Sequence, residues 1–165
     1  MSLPHALLTS LVEQPSSGSE LAARFDRSIG YFWQATHQQI YRELARLEES
    51  GFIESLPEDT TRGRKRAYQI LPAGREELKR WMAQESYPNA LRDEFMIRLR
   101  AEAVIGPTGL EQEAKRRLAM HTEKLAVYRH IEARDFPSPP ADREQALQYL
   151  VLQAGIRYES NWLET

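Results

Sequence analysis

Between residues 36 and 82 the hydrophobic period changes from helical to alternating and back, and that order limits the folds open to the chain. Thr36-His37-Gln38-Gln39-Ile40-Tyr41-Arg42-Glu43-Leu44 has helical spacing, with Ile40, Leu44 and Leu47 at i, i+4 and i+7. Thr36 and Gln39 make a capping-box pattern at its start, and Ser50-Gly51 marks its end. Phe52-Ile53-Glu54-Ser55-Leu56 reads as a short strand, Arg62-Gly63-Arg64-Lys65-Arg66 as a basic tip, and Ala67-Tyr68-Gln69-Ile70-Leu71 as the return strand. A further helix starts at Pro72, a residue suited to the first helical turn. Helix, strand, basic hairpin, strand, helix is the order of a winged helix, in which the helix enters a DNA groove and the hairpin lies along the phosphates.

With the Ile40–Leu44–Leu47 stripe turned inward, His37, Gln38, Tyr41, Arg42 and Arg46 fall on the outer side, and Thr36 stands at the leading edge. Gln38 can pair bidentately with adenine, and Arg42 or Arg46 with guanine or a phosphate. Tyr41 has two readings of equal weight, a phosphate-contacting hydroxyl and a half-buried packing ring. Arg62, Arg64, Lys65 and Arg66 are expected on phosphates or in a narrowed minor groove. Overall charge argues mildly against a polyanion: the formal net charge is −2, and residues 1–86 carry 11 basic against 12 acidic side chains. The positive footprint is therefore a local cluster, and non-specific affinity should be modest and salt-sensitive.

Ahead of this segment, a helix is expected over 4–13 with Leu7, Leu8, Leu11 and Val12 on one face. Ser17-Gly18-Ser19-Glu20 is a capping box launching a second helix with Leu21, Ala22 and Phe25 inward, fading near Ile29-Gly30. Tyr31-Phe32-Trp33 reads first as a packing plug. The helix after Pro72 carries Leu78, Trp81 and Met82, and Pro88 ends the first domain. The second half reads as helices over 91–104, 110–133 and 141–163, separated by Gly106-Pro107-Thr108-Gly109 and Phe136-Pro137-Ser138-Pro139-Pro140. The last helix is apolar on two faces, one through Leu147, Leu150, Val151, Ala154 and Tyr158, the other through Tyr149, Leu152, Ile156 and Leu163. A helix apolar on two faces is normally buried on both, which suggests a second chain as one neighbour.

Chemistry is sparse. Without cysteine there is neither a disulfide framework nor a thiolate metal site. His5, His37, His121 and His130 are scattered without ligand spacing, and His121 points toward an apolar stripe as a packed residue. The carboxylates sit among basic neighbours, as in Glu111-Gln112-Glu113-Ala114-Lys115-Arg116-Arg117, a solvated face. No nucleophile–base pair or phosphate-cradling glycine loop stands out. Neither an enzyme nor a cofactor is expected. Trp33, Trp81 and Trp162 read as core or interface rings. No apolar run approaches the roughly 20 residues of a membrane span, and no secretory signal is read, so a cytoplasmic location is the expectation.

Several segments in order carry a resemblance: Leu3-Pro4-His5-Ala6-Leu7-Leu8, Pro15-Ser16-Ser17-Gly18, Phe25 through Trp33, Gln39 through Leu44, Leu47-Glu48-Glu49-Ser50-Gly51-Phe52-Ile53, and Pro72-Ala73-Gly74-Arg75. Together they resemble the PadR family of bacterial transcriptional regulators, and the helical second half, with Leu91-Arg92-Asp93-Glu94-Phe95, is similar to its virulence-activator-like branch. The resemblance implies a homodimer that binds an operator through winged helices and dimerises through its C-terminal helices. Some members are released from DNA by small aromatic or phenolic molecules, so a small-molecule effector is an expectation here. One departure is Leu71, where the family often has a capping Thr; leucine cannot accept the free amides, a loss of typically about 1 kcal/mol.

The expected fold is mainly α with a small β-wing: an N-terminal winged helix-turn-helix (1–86) and a C-terminal antiparallel helical dimerisation domain (91–165). The expected function is sequence-specific binding of double-stranded DNA by a homodimer on a pseudo-palindromic operator, most simply as a repressor. The competing reading is a winged helix used as a protein-interaction module, its basic tip holding an acidic partner.

Overall fold

A computed structural model describes residues 3–27, 35–56, 66–87 and 92–164 of the chain. They fall into two units, Met1–Pro88 and Asn89–Thr165.

In the first unit, α1 (Leu3–Glu13) is followed by a two-residue strand, β1 (Ser16–Ser17), and by α2 (Gly18–Arg27). Ser17 and Glu20 cap α2 reciprocally: the Glu20 amide donates to the Ser17 hydroxyl at 3.3 Å, and the Ser17 amide to the Glu20 carboxylate at 2.9 Å. Arg24 of α2 reaches back to the end of α1, donating to the carbonyls of Ser10 and Gln14 and so tying the two helices together. Next come α3 (His37–Glu49), β2 (Ile53–Ser55), β3 (Ala67–Ile70) and α4 (Pro72–Met82). The sheet order is β1-β3-β2, both pairings antiparallel, with Ser55 and Ser16 opposite Tyr68 on its two sides.

Leu7, Leu8, Leu11, Leu21, Ala22, Phe25, Ile40, Leu44, Leu47, Ile53 and Leu78 form one buried core. Val12, expected on the buried face of α1, is 37% exposed, and Ser10 is buried instead. Met82 is exposed at the end of α4, whereas Trp81 stacks on His5 of α1 with ring centroids 4.5 Å apart. β1 was not expected: Ser16-Ser17 has no strand-forming side chains, and only pairing with β3 makes it a strand. The segment Tyr31-Phe32-Trp33 lies outside the described residues.

Two glycines explain the turns flanking the wing. Gly51 has φ +69° and ends α3: its amide donates to the Glu48 carbonyl and the Phe52 amide to the Leu47 carbonyl, the Schellman pattern. Gly74, in the first turn of α4, lies against the Phe52 carbonyl, and a Cβ there would stand 2.2 Å from that oxygen. Leu71 makes no side-chain cap on α4, as its chemistry dictates.

The second unit contains α5 (Glu94–Ile105), α6 (Leu110–Asp135) and α7 (Arg143–Glu164). Asp93 caps α5 by accepting from the Phe95 amide at 2.8 Å. α6 and α7 run antiparallel, since His121 meets Glu159 while Glu132, further along α6, meets Gln153 and Tyr149, earlier in α7. Ile156 and Tyr128 are buried between them. Glu159 is buried too, at 1% exposure, with the His121 ring at 2.5 Å and the Lys124 ammonium at 3.1 Å. A buried carboxylate on α7 was not foreseen, because its partners, His121 and Lys124, come from α6. His121 is half-buried and stacks on Trp162, 4.8 Å between centroids. Of the two apolar lines on α7, the one through Ile156 packs on α6; Leu147, Leu150, Val151 and Tyr158 remain more than half exposed in the single chain.

Substituting Gly74→Ala should force the α4 start away from the Phe52 carbonyl and cost about 1–3 kcal/mol, read as a lower urea midpoint for the first unit. In the second unit, Arg116 and then Arg117 hold the Glu113 carboxyl well down, to about 2 against an ordinary 4.5. Its contribution to folding is therefore fully present above pH 4.5 and is lost as pH falls toward about 2. NMR titration of that carboxyl should give a midpoint near the lower value, and Glu113→Gln should flatten the acid limb of the stability curve.

Candidate nucleic-acid interface

The outer face of α3 follows from what its inner face buries. Ile40 and Leu44 are fully buried and Leu47 nearly so, which turns the opposite side of a 13-residue helix to solvent. His37, Gln38, Tyr41, Arg42 and Arg46 are all exposed. Thr36 caps the helix: the Gln39 amide donates to its hydroxyl at 3.2 Å, and the Thr36 amide donates to the Gln39 side-chain oxygen at 2.8 Å. This box fixes the leading turn, the part of such a helix that reaches base edges. The Thr36 side chain is thus committed to the cap, with its backbone at the leading edge.

The Tyr41 ring packs, one of the two readings expected of it. Its ring lies against Gly18 at the start of α2, where a Cβ would stand 2.4 Å from the ring, yet 47% of the residue is exposed. A glycine at 18 is what lets the two helices meet here, and the hydroxyl is carried at their junction.

Arg46 departs from the group. It is held by Glu43 at 3.4 Å and lines a shallow recess of about 220 Å³ with Pro4, His5, Leu8 and Phe52. That places it toward α1, on the edge of α3 away from Tyr41. In the same recess His5 stands 3.1 Å from Glu77, whose carboxyl is held below its ordinary range by Arg80 and then by His5.

Of the basic hairpin residues, Arg66 is described: it is exposed, just ahead of β3, and paired with Glu48 at 3.4 Å. Arg62, Arg64 and Lys65 lie outside the described residues. What sequence reasoning passed over here is Glu48, which was given no contact, and Gly18, which was read as part of a capping box. Only the fold shows which atoms they approach. Among the described residues, no group of three or more His, Asp or Glu side chains is placed to hold a metal ion, and no helix is long and apolar enough to cross a membrane.

Four helices packed on one core, with a polar helix face beside a small antiparallel sheet, make the first unit a winged helix of the kind found in DNA-binding transcriptional regulators. The family pattern "Transcriptional regulator PadR-like family" matches residues 7–80, and "Virulence activator alpha C-term" matches residues 91–164. A probable transcriptional regulator of Mycobacterium tuberculosis is 43% identical, over 99% of this chain and 95% of its own length. The Vibrio cholerae virulence activator AphA has a similar structure, with a TM-score of 0.82 and 32% identity over 99% of this chain and 92% of that one. Bacillus subtilis PadR in complex with operator DNA is similar at a TM-score of 0.83 and 26% identity, over 99% and 94% of the two chains. The chain belongs to the PadR-like family of transcriptional regulators.

Tyr41→Phe removes the hydroxyl and leaves the ring on Gly18. Its stability should stay within about 0.5 kcal/mol of the parent, while affinity for duplex DNA, measured by fluorescence anisotropy, should fall severalfold.

Proposed function

We propose that this regulator is a repressor that binds a pseudo-palindromic operator as a homodimer and is released by a small aromatic molecule. The observation that carries the reading is the exposed row His37, Gln38, Tyr41 and Arg42, on a helix whose leading turn is fixed by the Thr36–Gln39 box. Residues 1–86 act as the DNA-binding domain. Gln38 reads an adenine edge and Arg42 a guanine edge or a phosphate. Arg46 serves the backbone rather than a base, given its place beside Glu43. Thr36 and His37 approach the backbone at the helix start, where free amides and the helix dipole favour a phosphate. Arg66, with Arg62, Arg64 and Lys65, holds the flanking phosphates.

Residues 91–165 act as the dimerisation domain. In support, the exposed side chains Leu147, Leu150, Val151 and Tyr158 on α7 form an apolar line with no cover in the single chain, and Ile97, Val104 and Ile105 are likewise exposed on α5. Two-fold pairing of identical chains calls for an operator with matching symmetry. The repressor and effector readings draw on Bacillus subtilis PadR, a negative transcriptional regulator 28% identical to this chain and also solved with p-coumaric acid.

The deciding experiment is binding to the duplex upstream of the protein's own gene and to a scrambled duplex across a salt series. Selective binding with a steep salt slope is expected; equal, weak binding to both, with retention of an acidic protein partner, would sink the reading in favour of an interaction module. Within the selective complex, Gln38→Ala should cost about 1–3 kcal/mol and relax preference at one base pair. Arg66→Ala should weaken duplex binding and lower the salt slope by about one.

A further inference from the structure

The last turn of α3 carries Glu48 and Glu49, a poor place for carboxylates on two counts. The helix dipole disfavours negative charge at a C-terminus, and a DNA-binding face disfavours it beside phosphates. Glu49 is exposed, but Glu48 is half-buried and occupied. Its Oε1 accepts the backbone amide of Ser55, the last residue of β2, at 3.1 Å. The same oxygen stands 3.4 Å from the guanidinium of Arg66, the residue just before β3. At this end of the ladder the strands are joined by the Leu56 amide, which donates to the Ala67 carbonyl at 2.8 Å. One carboxylate oxygen therefore grips both strands of the wing at the loop end of their ladder, and it does so from the helix whose other end presents Gln38.

We propose that Glu48 is a positioning residue that fixes the wing to the recognition helix, so that phosphate contacts form only when that helix is seated on its own base sequence. The inference rests on the DNA-binding reading above. Its physical basis is that a charged acceptor makes a stronger hydrogen bond than a neutral one, while its negative charge lowers affinity for any polyanion. Specific binding gains from the fixed geometry; non-specific binding, which tolerates a loose wing, only loses from the charge.

That asymmetry gives the test. Wild-type protein first selects its preferred duplex from a random pool; Glu48→Ala and Glu48→Gln are then titrated against that duplex and a scrambled one. For Glu48→Ala, selected-site affinity should fall at least about fivefold while scrambled-site affinity holds or rises, so discrimination narrows. Glu48→Gln keeps an acceptor for the Ser55 amide and should recover most of the selected-site affinity. A general folding defect would lower both affinities together along with the urea midpoint, and that pattern, or an unchanged ratio in both variants, overturns the proposal. Amide hydrogen exchange on the DNA-free proteins is the independent arm. Ser55 should exchange faster in Glu48→Ala and near the wild-type rate in Glu48→Gln, and no change in Glu48→Ala refutes the tether. If wild type selects no duplex, the DNA reading itself fails, and the exchange arm still decides whether Glu48 holds the wing.

Discussion

Burial of Ile40, Leu44 and Leu47 is the constraint from which the rest of the first unit follows. A helix has one inside: once these three are packed with Leu7, Leu8, Leu21 and Phe25, the rotation of α3 about its axis is set. Each fully buried leucine or isoleucine is worth about 1.5–3 kcal/mol, so turning the helix to hide Gln38 or Arg42 would forfeit several kcal/mol. The polar face is thus held outward by apolar burial, and the Thr36–Gln39 box fixes where it begins. The Schellman turn at Gly51 then sends the chain directly into β2, so the wing starts from the end of the same helix.

The second unit is organised by a different balance. α6 and α7 meet along a seam where apolar contacts at Tyr128 and Ile156 alternate with polar ones at Glu159 and Glu132. Burying Glu159 costs desolvation, offset by the Lys124 ammonium and by a hydrogen bond with the His121 ring, both from α6. Such pairing contributes more to register than to net stability, because sliding the helices by one turn would strand the charge. The Arg117 guanidinium does comparable work at the start of α5. It bonds Asp93 at 3.1 Å and Glu113 at 3.1 Å, and lies over the Phe95 ring at 4.5 Å.

Much of the fold could be read from residue order because its signals are local. α3 was legible from three apolar positions and two caps, and the start of α4 from Pro72. The breaks at 106–109 and 136–140 separated three helices whose ends fell close to their expected places. The exposed row on α3 followed by subtraction from its buried one. Errors came where partners lie far apart along the chain. β1 is two serines made into a strand by β3, and Val12 is apolar by type but stays partly exposed. Arg46 is exposed on α3 as expected, at an edge of the helix beside Glu43 and the recess at His5.

The sequence by itself determined the order of elements, their caps and the identity of the polar face on α3, since each depends on residues within a turn or two of one another. Tertiary structure alone decided that Glu48 reaches Ser55 and Arg66, that Gly18 makes room for Tyr41, that Gly74 meets the Phe52 carbonyl, and that Glu159 is buried against His121 and Lys124. The reason is physical: helical periodicity and capping are encoded within a few residues, whereas the partner of a charge or the neighbour of a missing Cβ is set by how packed elements meet, which no local pattern contains.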